Sequence, residues 1–245
     1  MSNTNRQYFY SEEAPLYDKE RWSSGVGQYI DQAQKEIVKS MLPDVSGKKI
    51  LEIGAGTGRF SFLLAEMGAE VTTLDISQEM LDIIKRKTES ANLSEKISMI
   101  RADASQKIPF SDNSFDFCIA INTLSHIKDV PGLFREVFRI LKPGGIFLSN
   151  YPNLSSIYFP FGVIVNLREK ALRKNVFTKW YSLVGIKELH KTNEFQIIST
   201  RGQIHFSLNT NNKCFLYFLQ LTDKIFRKSI LKYFAPTIFI KAIRK

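Results

Sequence analysis

Soft metal ligands are scarce in this sequence. Its 245 residues include two cysteines, Cys118 and Cys214, and three histidines, His126, His190 and His205. None of these sits near another potential ligand at a zinc-type spacing, so no metal site is proposed. A Ser/His/Asp arrangement for nucleophilic catalysis is missing as well. Two isolated thiols are expected to be buried, and they fit a reducing compartment. The opening Met-Ser-Asn-Thr-Asn-Arg has no apolar stretch, so the reading is a cytoplasmic chain without a secretory signal. Long apolar runs are lacking too. After Asn150 the next 17 residues carry no charge, but Pro152, Pro160 and Gly162 interrupt them. The run falls short of the roughly 20 apolar residues that a membrane span needs.

Acid is what the second half has least of. Residues 151–245 hold 16 Lys/Arg against 4 Asp/Glu, whereas residues 1–150 hold 18 against 20. The whole net charge of +10 therefore lies downstream of Asn150. Such an excess fits an anionic acceptor, a nucleic acid or a negatively charged membrane surface, and equally a solvated basic face. With 44% hydrophobic and 24% charged residues, the chain is an ordinary globular one, of a size for one α/β domain.

What is there is organised around residues 50–60, Ile-Leu-Glu-Ile-Gly-Ala-Gly-Thr-Gly-Arg-Phe. A short apolar strand breaks at Gly54, Gly56 and Gly58, and a helical pattern follows. Such a turn brings bare backbone N–H groups close to a ligand. A dinucleotide fingerprint requires glycine three residues after the second glycine. Arg59 stands there, which excludes the pyrophosphate cradle. Glu70–Asp75 reads as the next strand, and Asp75 lies 19 residues beyond Gly56. In an α/β unit that spacing sets a carboxylate at the tip of the neighbouring strand, where it can accept the two ribose hydroxyls of a nucleoside. Ile76 can then lie against the base. The competing role for Asp75, capping the next helix, is one that Ser77 can fill.

With Glu52 two residues before the first glycine, this stretch resembles the signature of class I S-adenosylmethionine (SAM)-dependent methyltransferases. Two further stretches resemble the family's small-molecule, UbiE-like branch: Pro-Phe-x-Asp-x-Ser-Phe-Asp (109–116) and Arg-x-Leu-Lys-Pro-Gly-Gly (139–145). The resemblance implies a Rossmann-like α/β fold with seven mostly parallel strands, the last antiparallel. It also implies SAM as cofactor, with Gly54, Ala55 and Gly56 bordering the methionine part and Glu52 setting its amino end. Asp75 and Ile76 would hold the ribose and adenine, and Asp103 and Ala104 the adenine amino group and a ring nitrogen. Asn122 would face the cofactor or acceptor, or serve as a structural amide. Base-methylating relatives usually carry Asn/Asp-Pro-Pro-aromatic at this place. Here Asn122-Thr-Leu-Ser stands instead, which argues against nucleic acid as the acceptor. His126 and Tyr17 are candidates for a base, although a lone histidine is more often a packed residue. The expected acceptor is a small or lipid-like molecule, with peripheral membrane contact through the basic half. An RNA methyltransferase and a SAM-binding protein without catalysis are the alternatives.

One domain is expected over 1–245: a helical cap (1–43), a SAM-binding core (44–150), and lid insertions with the last helix and strands (151–245). In the core, strands are expected near 49–54, 70–75, 97–101, 115–121 and 146–150. The Lys142-Pro-Gly-Gly stop separates the last of these from the preceding helix. Residues 163–174 and 215–234 read as basic amphipathic helices.

Overall fold

A computed structural model gives the fold, and it describes residues 14–156, 159, 160, 163, 179–204 and 210–245. Tyr8, Phe9 and Tyr10 of the aromatic leader, and nearly all of the basic stretch 163–174, lie outside the described residues. The elements in chain order are α1 (Tyr17–Trp22), α2 (Gly25–Met41), β1 (Lys49–Ile53), α3 (Arg59–Glu66), β2 (Glu70–Asp75), α4 (Gln78–Ser90), β3 (Ile97–Arg101), β4 (Phe115–Ala120), α5 (Val130–Ile140), β5 (Leu141–Pro152), α6 (Leu183–Thr192), β6 (Phe195–Gln203), α7 (Lys213–Lys228) and β7 (Thr237–Arg244). Single 3₁₀ turns cover Leu124–His126 and Ile230–Phe234.

The strands form one seven-stranded sheet in the order β3-β2-β1-β4-β5-β7-β6. Only β7 runs against its neighbours, β5 and β6. The order reverses between β1 and β4, and ligands of open α/β sheets bind outside the strand ends at such a point. Alternate residues of β1 serve opposite layers, because side chains along a strand alternate in direction. Leu51 and Ile53 join Phe134, Phe147 and Phe195 in the layer under α5 and α6. Ile50 joins Ile37, Phe60, Leu64 and Ile84 under α2, α3 and α4.

Two of the three motif stretches serve the fold more than the site. Arg139 on α5 donates to the carbonyls of Phe110 and Ile108 at 2.7 and 2.9 Å, and pairs with Asp112 and Glu136. It thereby stitches down the segment that leads into β4. Asp116 accepts from Lys49 N–H at 2.9 Å and from Lys142 Nζ at 2.7 Å, which fastens β1 and β5 to β4.

Three expectations need correction. Strand five does not begin at Ile146 after a stop. It begins at Leu141, and Lys142–Gly145 loop out opposite Asp116, so the register jumps from Phe115–Leu141 to Phe117–Ile146. The helix expected over 215–234 ends at Lys228, because Ser229 turns extended and its hydroxyl caps a separate 3₁₀ turn. Cys118 is buried as expected, but Cys214 is exposed at the start of α7.

His190 of α6 is fully enclosed, edge-on to Phe134 and Phe195. Its Nδ1–H donates to the Ile186 carbonyl at 2.8 Å, and Nε2 faces Tyr151 Oη at 3.5 Å. Burial pushes its pKa down to about 4, opposed only by the bond to Ile186. The unfolded chain then takes up a proton below pH 6.5 while the folded one resists until about pH 4. The contribution of His190 to stability is fully present above pH 6.5 and should fall by about 3 kcal/mol as pH drops to 4. Chemical denaturation at stepped pH checks this. The fall should be shallower in His190→Gln, and equal slopes would remove His190 as the cause.

Candidate active site

The glycine turn owes its shape to three left-handed positions, with φ of +69° at Gly54, +55° at Gly56 and +85° at Gly58. A Cβ on Gly54 would meet the Thr123 side chain at 2.5 Å, so the turn presses directly on the end of β4. A Cβ on Gly56 would meet nothing within 4 Å. Gly56 follows the C-terminal end of β1, one of the two strands between which the order reverses.

Asp75 closes the turn from β2. Its Oδ2 accepts the Gly56 N–H at 2.8 Å and its Oδ1 accepts the Ser77 N–H at 3.0 Å. Ser77 caps α4 through Met80 N–H, as expected, so capping is not the task of Asp75. Burial raises the carboxyl pKa, and the backbone donors of Ser77, Gly56 and Ile76 oppose it. Ile76 is half-buried beside it. The segment after β3 is tied to the same tip, since Ala102 N–H donates to the Asp75 carbonyl at 3.0 Å. Asp103 is half-buried and accepts from Ser105 N–H at 2.8 Å, while the Ala104 side chain is buried in the core.

Glu52 is buried behind the turn and accepts a hydrogen bond from Ser61 Oγ. Burial lifts its pKa to about 8, and neighbouring Asp75 pushes the same way against Ser61 and Arg59. Two carboxyls are thus held at a cost within one cleft, and functional sites concentrate such groups.

The leader folds over the turn. Asp18 of α1 accepts from Thr57 Oγ1 at 2.6 Å and pairs with Lys87 of α4 at 2.7 Å. Arg59, which excluded the dinucleotide reading, has a structural role of its own. Its guanidinium binds Asp31 of α2 at 2.6 Å, reaches Gln34 Oε1 at 3.1 Å and lies 3.6 Å over the Trp22 ring. Gln34 is buried and also takes Asn122 Nδ2 at 3.2 Å, while donating to Gln203 of β6 at 3.1 Å. Asn122 has a left-handed φ of +59°; Asn150 Oδ1 accepts its backbone N–H at 2.7 Å and Asn150 Nδ2 donates to its Oδ1 at 2.8 Å. Its amide is therefore engaged on both sides.

Asp31, Gln34 and Asn150 went unnoticed in the sequence. The available signal was a polar pair, three residues apart, inside the Ile30, Ala33, Ile37 stripe. Of the two candidate bases, Tyr17 is half-buried on α1 with the Arg21 guanidinium 4.4 Å over its ring. His126 is half-buried on the 3₁₀ turn after β4.

Comparison with known proteins bears on the domain that holds these residues. Residues 51–149 match the family described as a methyltransferase domain. A putative methyltransferase of Bacillus subtilis, YqeM, is 31% identical over 69% of this chain and 66% of its own length. The ubiquinone/menaquinone biosynthesis C-methyltransferase UbiE of Bartonella bacilliformis is 35% identical over 43% of this chain and 42% of its own. The chain thus spans less than two thirds of either relative. A SAM-dependent methyltransferase from Thermotoga maritima superposes with a TM-score of 0.68 at 17% identity, covering 97% of this chain and 99% of that one, a likeness of fold.

Proposed function

We propose that this protein, whose residues 51–149 match a methyltransferase domain family, is a class I SAM-dependent methyltransferase that transfers a methyl group to a small-molecule or lipid-like acceptor. The observation that carries the reading is Asp75. It is a buried carboxylate at the tip of β2, fastened to the glycine turn through the Gly56 N–H. The donor set fits a nucleoside with a charged tail. A carboxylate has about four acceptor positions, of which the hydrogen bonds from Gly56 and Ser77 take two, and the Ile76 N–H also bears on the group. SAM supplies a methyl group on a positively charged sulfur.

The residues of the chain bind and orient. Asp75 accepts the ribose hydroxyls, and Ile76 packs on the base. Asp103 takes the adenine amino group, and the Ala104 N–H a ring nitrogen. Gly54, Ala55 and Gly56 border the methionine part, and Glu52 answers its ammonium. Asn122 stays beside the donor end, held there by Gln34 and Asn150. Aligning donor and acceptor supplies much of the rate when the leaving group is already activated. A hydroxyl acceptor would in addition need a base, for which His126 and Tyr17 are the candidates. The relatives include a ubiquinone/menaquinone biosynthesis C-methyltransferase and a sterol 24-C-methyltransferase, which favours a lipid-like acceptor for this chain.

Incubation with methyl-labelled SAM and a cell lysate, followed by separation into lipid, small-molecule and RNA fractions, tests the proposal. Label should enter the lipid or small-molecule fraction. Label confined to RNA, or no transfer at all, would overturn it.

A further inference from the structure

Helix α7 is apolar on two sides. One side packs inward: Leu219, with Phe215, Leu216 and Phe226, lies on Val26 and Ile30 of α2 and on Ile204. Asp223 is buried on that side, accepting from Tyr29 Oη at 2.8 Å and pairing with Arg227 at 2.5 Å. The other side carries Tyr217, Phe218, Leu221 and Ile225, which are 69%, 52%, 50% and 49% exposed. Helical geometry places these four within one stripe of roughly 100°. Past Ser229 the exposed surface goes on through Ile230, Leu231 and Phe234. A surface helix ordinarily turns its polar face outward. Among the described residues, nothing buries this second stripe.

Charge says what meets it. The helix and the turn after it, residues 213–234, contain five Lys/Arg, of which Arg227 is paired with Asp223 and Glu36, and one acid, Asp223, which faces inward. Lys213 and Lys224 are exposed on α7 itself. A partner at this face therefore meets apolar side chains and positive charge, with no exposed carboxylate from this segment. A second copy of the chain would bring like charge against like. We infer that the outer face of α7, with the turn that follows, docks on an anionic lipid surface. The stripe enters the headgroup–acyl boundary and the lysines pair with lipid phosphates. This inference stands apart from the methyl-transfer reading.

Cys214 provides the probe. It falls in the same stripe, three residues before Tyr217, and is exposed, whereas Cys118 is buried. The full chain, carrying an environment-sensitive fluorophore on Cys214, is mixed with phosphatidylglycerol/phosphatidylcholine vesicles or with phosphatidylcholine vesicles alone. A blue shift and co-sedimentation are expected with the anionic vesicles, at an affinity about tenfold or more above the neutral ones. The double substitution Leu221→Ser/Ile225→Ser should weaken that binding by about tenfold while SAM binding, measured alongside, stays unchanged. Equal binding to neutral vesicles, or no binding, overturns the inference. So does a Cys214 that reacts only after unfolding, which would mean that the chain covers its own stripe. A dimer that the double substitution dissociates overturns it as well. Any of these results with SAM binding intact leaves the proposed activity standing.

Discussion

Replacing Asp75 by alanine is expected to weaken SAM binding by at least about a hundredfold. Hydrogen bonds to a charged acceptor contribute about 1.5–3 kcal/mol each, so losing a carboxylate that holds two ribose hydroxyls removes about 3 kcal/mol or more. The loss has a second source within the turn. Asp75 takes the N–H groups of Gly56 and Ser77, and both would be left without that acceptor. Asp75→Asn keeps the volume and one carbonyl acceptor, so its effect should run the same way and be smaller. Isothermal titration calorimetry reads both variants, and circular dichroism melts establish that they are folded. Unchanged affinity in a folded Asp75→Ala would remove the residue from the site.

Glu52→Gln should act in opposite directions on stability and on binding. The pKa of Glu52 is raised from 4.5 to about 8 by burial. Between those values the folded chain keeps a proton that the unfolded chain has released, so stability falls as pH rises through that range. At pH 7 the cost is about 3 kcal/mol, and a neutral glutamine avoids it. The ligand-free variant is therefore expected to melt several degrees higher, by about 2–4 °C per kcal/mol for a chain of this size. Its stability should also lose the part of the pH dependence between 4.5 and 8 that Glu52 contributes. SAM binding should weaken by about tenfold, because an ammonium group is answered better by a carboxylate than by an amide. The parent protein should release a proton on binding SAM near pH 7, seen as a dependence of the heat on the buffer's ionisation enthalpy, and the variant should not. A variant that gains stability but binds SAM as tightly would place the ammonium elsewhere.

The glycine turn shows how far local chemistry reaches. Left-handed φ values need glycine, apolar alternation needs a strand, and a 19-residue spacing brings Asp75 to the neighbouring tip. Each of these is written within a short window. The Gly56–Asp75 bond in the structure is the direct product of that spacing. Motif likeness alone was less discriminating. Arg139, Asp112 and Asp116 lie in stretches that carry the family resemblance, yet their side chains tie loops to strands. Ser229 cut a helical period that looked continuous, because a hydroxyl cap competes with one more turn of helix.

By itself, the sequence determined the strand–glycine–helix unit, the nucleoside-sized ligand, the exclusion of a dinucleotide and the basic second half. These depend on backbone freedom, periodicity and composition, which neighbouring residues set. Only the tertiary structure decided which distant side chains meet. It brought Arg59 onto Asp31 and Trp22, joined Gln34 to Asn122 and Gln203, and enclosed Glu52 deeply enough to hold its proton. It also left Cys214 and the outer stripe of α7 in the open. The energies of such groups come from burial and from partners far along the chain. A polar residue in an apolar stripe reads the same in sequence whether it ends in water or in a network.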